Sequence, residues 1–364
     1  MSRFSGFGQR LYNGESSIDF VGRRKTWYVI STIILLVAIG AVVLRGGLNL
    51  GIEFRGGGDF GIPNATCSVE QARVVAEAQT GSQAIVTVAG NGTVRVQTES
   101  LTPAESTTLA TSLAKTCGVG VDTIKIQVVG PSWGSEISKK ALQGLVVFLL
   151  LVALFMSIYF EWRMAVAGLL ALAHDLVITV GLYALFGLEV TPATVIGFLT
   201  ILGFSLYDTI VVFDKVRENT RNITAQSVMT FGESANLAVN QTLVRSINTS
   251  IVALMPVLAI IVVGAGILGA GTLLDLAVAL AIGMAAGSYS SIFVATPFFV
   301  QLKEKEPQMI ALANRVHARR AQSAKSAKGT DAASVEEGEV TTLVDAGPRQ
   351  QPRRVARSKR TKKS

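Results

Sequence analysis

Six long stretches of this 364-residue chain are almost free of charge, and they restrict what it can fold into more than any other feature. Residues 26–44, 141–160, 246–274 and 276–302 hold no Asp, Glu, Lys or Arg. Residues 164–188 hold one carboxylate, Asp175, beside His174, and residues 190–213 hold one, Asp208. A bilayer core about 30 Å thick takes roughly 20 apolar residues in helix. Six transmembrane helices are therefore expected at about 26–44, 141–160, 164–187, 191–214, 246–265 and 274–300. Breakers mark their ends: Gly46-Gly47, Gly187, Pro192 and Gly264-Ala265-Gly266. With 49% hydrophobic and only 16% charged residues, the chain is neither an ordinary soluble protein nor wholly disordered. The first run is longer than the apolar part of a leader peptide and no small-x-small site follows it, so it is expected to stay as an anchor despite Arg23-Arg24-Lys25.

Short basic segments set the expected orientation. Arg3, Arg10, Arg23, Arg24 and Lys25 precede the first span, Arg163 lies between the second and third, and Lys215, Arg217 and Arg221 follow the fourth. Residues 303–364 hold 15 Lys/Arg and 7 Asp/Glu, which accounts for the whole formal charge of +8. All of these lie on one side if both termini, residues 1–25 and 303–364, are cytoplasmic. The tail has no apolar periodicity and reads as largely disordered. Its eight basic residues over 349–363 suit anionic lipid or ribosomal RNA, or simply keep that end in solution. Nothing in the chain calls for DNA.

Residues 46–138 then form one extracytoplasmic domain. The pattern reads as a strand over 48–60, a helix from Ser68 to about residue 78 with Gln71 completing a capping box, and a second helix over 102–116 opened by Thr102-Pro103. Strands at 84–88 and 93–97 flank Asn91-Gly92, and a last strand covers 124–129. The order β-α-β-β-α-β predicts a small α+β, ferredoxin-like domain between helices 1 and 2. Cys67 and Cys117 both fall here, as a disulfide or as two unpaired thiols. Two His and two Cys leave little room for a zinc site. The Arg55-Gly56-Gly57-Gly58 run lacks the Lys-Ser/Thr of a phosphate loop, so neither metal nor cofactor is expected.

Ionisable groups inside spans are costly and therefore functional candidates. Asp208 is the strongest. If the fourth span runs to about Glu218 and the fifth starts near Ser234, Asp208 and Arg245 each stand roughly ten residues, about 15 Å, above the same surface. Arg245 is then the expected counter-ion. A carboxylate beside Arg stays ionised, and away from it in apolar surroundings takes a proton. The pair is thus read as a proton relay, with protons as the coupling ion. Asp175, Tyr207, Thr209 and Asn240 are expected to stand around it, Asp175 either as packing or as a further relay group and Asn240 as helix-joining glue. Asp175 and Asp208 on neighbouring spans also invite an intramembrane aspartyl protease, but Asp175 follows Leu172-Ala173-His174, not Gly-x-Gly, so no enzyme is expected.

Several segments together resemble the SecD/SecF family of bacterial protein-export membrane subunits, on its SecF side. They are Gly51-Ile52-Glu53-Phe54-Arg55-Gly56-Gly57, Phe160-Glu161-Trp162-Arg163, His174-Asp175, Ser205-Leu206-Tyr207-Asp208-Thr209-Ile210-Val211-Val212-Phe213-Asp214, Asn240 through Ser250, and Gly287-Ser288-Tyr289-Ser290-Ser291-Ile292-Phe293. The resemblance implies half of a twelve-helix, RND-type transporter in the bacterial inner membrane. It implies work with SecD and the SecYEG channel, in which the proton motive force promotes export of preproteins after the ATP-driven action of SecA. It carries the family's relay aspartate to Asp208 and its essential arginine to Arg245. Glu53 stands where the family usually has Asp. Tyr207 stands where Asn is often found, which is expected to change the hydrogen bonding of Asp208. An RND-type exporter of a small solute or lipid is the alternative, although such chains normally carry both six-helix halves.

Overall fold

The computed structural model describes residue 10 and residues 17–88, 92–263 and 271–332. The Asn91 half of the expected hairpin, the 264–266 turn and the basic run at 349–363 lie outside the described residues. The chain divides into two units, Met1–Val316 and His317–Ser364, and the architecture below is that of the first.

Among the described residues six helices are long and apolar enough to cross a membrane. They are α1 (Arg24–Leu44), α5 (Pro131–Tyr159), α6 (Trp162–Phe186), α7 (Pro192–Asn219), α8 (Phe231–Val263), and α9 (Gly271–Ser290) continued through a π-helical turn, Ser291–Ala295, into α10 (Thr296–Lys303). Two of them start well before their uncharged run. Polar residues that would not sit in lipid prolong α5 back to Pro131 and α8 back to Phe231. Residues 131–138, expected in the α+β domain, thus belong to a helix, because Pro131 at the first helical position starts it early. At the start of α7, Thr191 accepts from the Thr194 amide and Pro192 follows. Helices α6, α7 and α9 are the most buried, with Ala167, Ala171, Leu172, Val212, Phe213 and Ala295 in the core. By contrast α1, α5 and the middle of α8 turn Leu36, Val43, Leu150, Ile158, Val252 and Met255 outward.

Between α1 and α5 lies the α+β domain. The expected strand over 48–60 is two strands with a helical elbow between them: β1 (Asn49–Leu50), α2 (Ile52–Arg55) and β2 (Gly57–Ile62). The break falls at Gly56 and Gly57, whose φ values are +78° and +150°. A Cβ on Gly57 would stand 2.4 Å from the Thr98 carbonyl oxygen, so only glycine admits both the turn and the close strand. There follow α3 (Val69–Thr80), β3 (Ile85–Val88), β4 (Val94–Thr98), α4 (Pro103–Cys117) and β5 (Lys125–Val129). Capping boxes at Ser68/Gln71 and Thr102/Glu105 start the two helices. The sheet has the order β3-β4-β2-β5 with every pair antiparallel. Both helices cover one face, where Ala72, Ala76, Leu109 and Leu113 meet Phe60, Ile62, Val94 and Val96. Cys67 and Cys117 are joined in a disulfide that closes a 50-residue separation from the start of α3 to the end of α4.

The segment after residue 302 is not irregular from its start, as its composition suggests. Helix α11 runs Pro307–Ala332, and Met309, Leu312 and Val316 on it are buried against α8 and α10 residues such as Phe231 and Phe299. Their i, i+3, i+7 spacing is a helical apolar stripe, masked in the sequence by the charge around it.

Candidate functional site: a hydroxyl-lined acid pair in the helix bundle

Asp208 stands in the middle of α7 and is 4% exposed, while Asp175 on α6 is fully buried. Among the described residues neither forms an ion pair with Lys or Arg; each is held by two serines. Ser246 on α8 donates to Asp208 Oδ1 at 2.6 Å, and Ser291 at the π-helical turn donates to Oδ2. Ser205, one turn before Asp208 on α7, donates to Asp175 Oδ2 at 2.5 Å, and Ser290 donates to the same oxygen at 2.8 Å. Consecutive serines thus serve different acids. In a regular helix neighbouring residues point about 100° apart, which lets one helix address α6 and α7–α8 at once. Gly287 makes the approach possible: a Cβ there would lie 2.8 Å from Ser205 Cβ. The hydroxyls continue outward, with Ser250 and Ser288 2.6 Å apart and Ser31 of α1 3.0 Å from the Tyr289 hydroxyl. Serine can both donate and accept, so this lining fits a carboxylate and a carboxylic acid alike.

The expected partners of Asp208 are placed otherwise. Arg245 is exposed on α8 and pairs with neither acid; Ser246, the next residue, points inward in its stead. Arg245 thus stands one residue from a side chain that reaches Asp208, but on another side of α8. Tyr207 is 49% exposed and is not among the groups bonded to Asp208. Thr209 is buried with its hydroxyl unpaired and makes no bond to the carboxyl. Asn240 serves another purpose. Its Oδ1 accepts from the Ile18 amide at 2.8 Å and its Nδ2 donates to the Ile18 carbonyl at 2.9 Å, while Asn236 one turn earlier accepts from the Phe20 amide at 2.8 Å. The two asparagines pin the segment before α1 along α8. The four serines were within the quoted segments, but nothing in a lone serine marks it as a ligand.

Two ionic junctions flank this core. At one, β1 pairs in parallel with β6 (Glu189–Val190), which lies between α6 and α7. There Arg95 of β4 bridges Asp59 of β2 and Glu189, the latter at 2.8 Å, and Gln97 donates to Glu189 at 2.9 Å. Burial alone would lower the Arg95 pKa, but Asp59 and Glu189 hold it above its ordinary value. Gly134 of α5 packs on the backbone of the α2 elbow. The α+β domain is therefore tied to the helices by a strand pair, an ion bridge and a close backbone contact. At the other junction Lys303 lies 2.6 Å from Glu161 and 3.0 Å from Glu306, and Arg163 touches both acids. Burial pushes Glu161 up, but Lys303 and then Arg163 hold it below the ordinary carboxylate value.

Comparison with known proteins gives the family. The family described as Protein export membrane protein SecD/SecF, C-terminal, matches residues 109–305. The protein translocase subunit SecF of Streptomyces coelicolor is 49% identical over 97% of this chain and 96% of its own length. The chain belongs to the SecF branch of the SecD/SecF family. Its SecF relative in Mycobacterium tuberculosis is 43% identical over 93% of this chain and 78% of its own length. The crystal structure of SecDF from Thermus thermophilus, a translocon-associated membrane protein, superposes with a TM-score of 0.71 at 31% identity. That match covers 80% of this chain and 39% of the SecDF chain, so this SecF-family protein spans about two fifths of that polypeptide. It is a multi-pass helical membrane protein and an accessory subunit of the protein translocase.

Proposed function

We propose that this subunit, paired with SecD, converts the proton motive force into movement that promotes preprotein export through SecYEG after SecA has acted. The observation that carries the reading is Asp208, buried in the bundle and bonded, among the described residues, to two hydroxyls. A carboxylate there is an uncompensated charge in a low-dielectric site, and a proton removes it without emptying the site of hydrogen bonds. Protons are the coupling ion. Each charge moved across 100 mV supplies about 2.3 kcal/mol, so one or two protons shift a conformational equilibrium strongly. Arg245 supplies the cation of the ionised arm: turning α8 by one residue position, about 100°, exchanges Ser246 for Arg245 opposite Asp208. The subunit acts as a transporter component and not as an enzyme.

The α+β domain lies outside the cytoplasm and both termini inside, in the bacterial inner membrane. The basic segments and the Cys67–Cys117 disulfide on the opposite face support that orientation. The sheet order and the two helices on one face support a ferredoxin-like domain. Through Arg95–Glu189 and β1–β6 this domain moves with α6 and α7, and so follows the acid pair. The apolar outward faces of α1, α5 and α8 receive SecD and lipid. The test uses vesicles holding the whole translocase, with ATP and an imposed proton gradient. Asp208→Asn is expected to abolish the gradient-stimulated part of export and leave the ATP-driven part. Unchanged stimulation overturns the proposal.

A further inference from the structure

One buried titratable pair has no part in the relay just described. His174 is 5% exposed, its Nδ1 lies 3.3 Å from Asp175 Oδ1, and its Nε2 has no hydrogen-bond partner. The same ring lines an apolar groove of about 560 Å³ between α1 and α6, walled by Tyr28, Ser31, Leu35, Val177 and Phe298. Tyr289 stacks on the imidazole with ring centres 6.1 Å apart. With the proton on Nδ1, facing the carboxylate, Nε2 keeps a lone pair toward the groove. Such an arrangement is costly for a purely structural histidine, which would satisfy both nitrogens.

The geometry points to His174–Asp175 as a second proton-binding site, loaded from the α1–α6 groove and coupled to Asp208 through Ser290 and Ser291. A proton arriving from water at the groove adds to Nε2, and the Nδ1 proton passes to Asp175 Oδ1. The ring returns to a neutral tautomer and nothing else is consumed. Protonated Asp175 no longer needs both serine donors on Oδ2, so Ser205 and Ser290 are freed to turn. Ser290 leads directly into the π-helical turn that carries Ser291, an irregularity of the kind found frequently at functional sites. Loading one acid thereby changes the donor offered to the other. The titratable groups facing the pair are Tyr28 from α1, Tyr289 from α9 and, beyond the two serines, Asp208 from α7. Among the described residues no Lys or Arg forms an ion pair with Asp175. The inference deepens the proton-driven reading, and its test is independent of export.

The experiment is pH-difference infrared spectroscopy of the full chain with its partner in lipid vesicles. Two protonated-carboxyl bands are expected, one lost in Asp175→Asn and the other in Asp208→Asn. Ser290→Ala is expected to shift both bands, which a pair of unconnected acids would not do. A single band, lost only in Asp208→Asn, overturns the inference and leaves the export proposal standing. Unchanged export in Asp208→Asn with two bands present does the reverse. A second measurement avoids altering the core. The chain has two histidines, so ¹⁵N-histidine labelling of His317→Gln leaves His174 alone. Its Nε2 is expected to gain and lose a proton reversibly when the pH is changed, read from the ¹⁵N shift. A ring fixed in one neutral tautomer at every pH overturns the inference.

Discussion

The acids at the junction between the α+β domain and the helices are held by a guanidinium, whereas the acids inside the bundle are held by hydroxyls. At the junction, Asp59 and Glu189 share Arg95, which is 35% exposed and remains charged at any accessible pH. In the bundle, Asp175 and Asp208 share four serines and, among the described residues, no Lys or Arg. The chemical difference decides the role. An ion pair has one stable protonation state, because neutralising either partner strands the other's charge. A hydroxyl bonds to either form of a carboxyl by rotating its proton. On the proposed reading the junction transmits position and the bundle accepts a change of charge.

Removing the cation gives the largest expected effect on stability. Arg95→Ala leaves Asp59, 7% exposed, unpaired beside Glu189. Stranding a fully buried charge costs about 3–5 kcal/mol. Because Arg95 is partly open to water, about 2 kcal/mol is expected here. Hydrogen exchange of the β2 and β4 amides in lipid nanodiscs measures it. Arg95→Lys is expected to restore less than half, since an ammonium does not fork between two carboxylates as a guanidinium does. Equal stability of Arg95→Ala and the parent would erase the distinction between the two regions. The matching change in the bundle has the opposite profile. Asp208→Asn keeps an acceptor for one serine and a donor for the other, so a stability loss under about 1 kcal/mol is expected in the same assay. A loss as large as that of Arg95→Ala would mean that Asp208 is structural.

How much of this was readable beforehand differs between the two regions for physical reasons. Asp208 and Asp175 announce themselves because a carboxylate in an apolar run is expensive. Their partners do not, because serine is at home in any helix and costs little when it bonds to its own backbone. Arg245 shows a subtler limit. Counting residues fixes height along a helix, but the azimuth that put Ser246 inward depends on how α8 packs on α7 and α9. In the domain, the Ser68/Gln71 capping box and the Thr102-Pro103 start mark where the helices begin, being local chemistry. The Arg95 bridge was out of reach, because Glu189 is 94 residues away in sequence and joins only when β1 pairs with β6.

Smaller changes sharpen the contrast. Ser291→Ala leaves Asp208 with the Ser246 hydroxyl alone, and about 1 kcal/mol of thermal stability is expected to go, with Ser291→Thr close to the parent. A bundle indifferent to Ser291→Ala would deny that this hydroxyl matters to the buried acid.

The smallest effect is a pH dependence at the second ionic junction. The folded protein holds Glu161 below its ordinary value of 4.5, through Lys303 and Arg163 against the opposing effect of burial. Between the folded value and 4.5 the unfolded chain binds more protons than the folded one, so stability rises with pH across that window. The contribution is complete above about pH 4.5 and is lost as pH falls through the folded value. Because the pair is partly exposed, under about 1 kcal/mol is at stake, and salt reduces it further. Thermal unfolding in detergent should fall more steeply below pH 4.5 in the parent than in Glu161→Gln, and the two slopes should converge at high salt. If they coincide at low salt as well, Lys303 is bridging Glu306 alone, and the loop before α6 is joined to α10 by packing and not by charge.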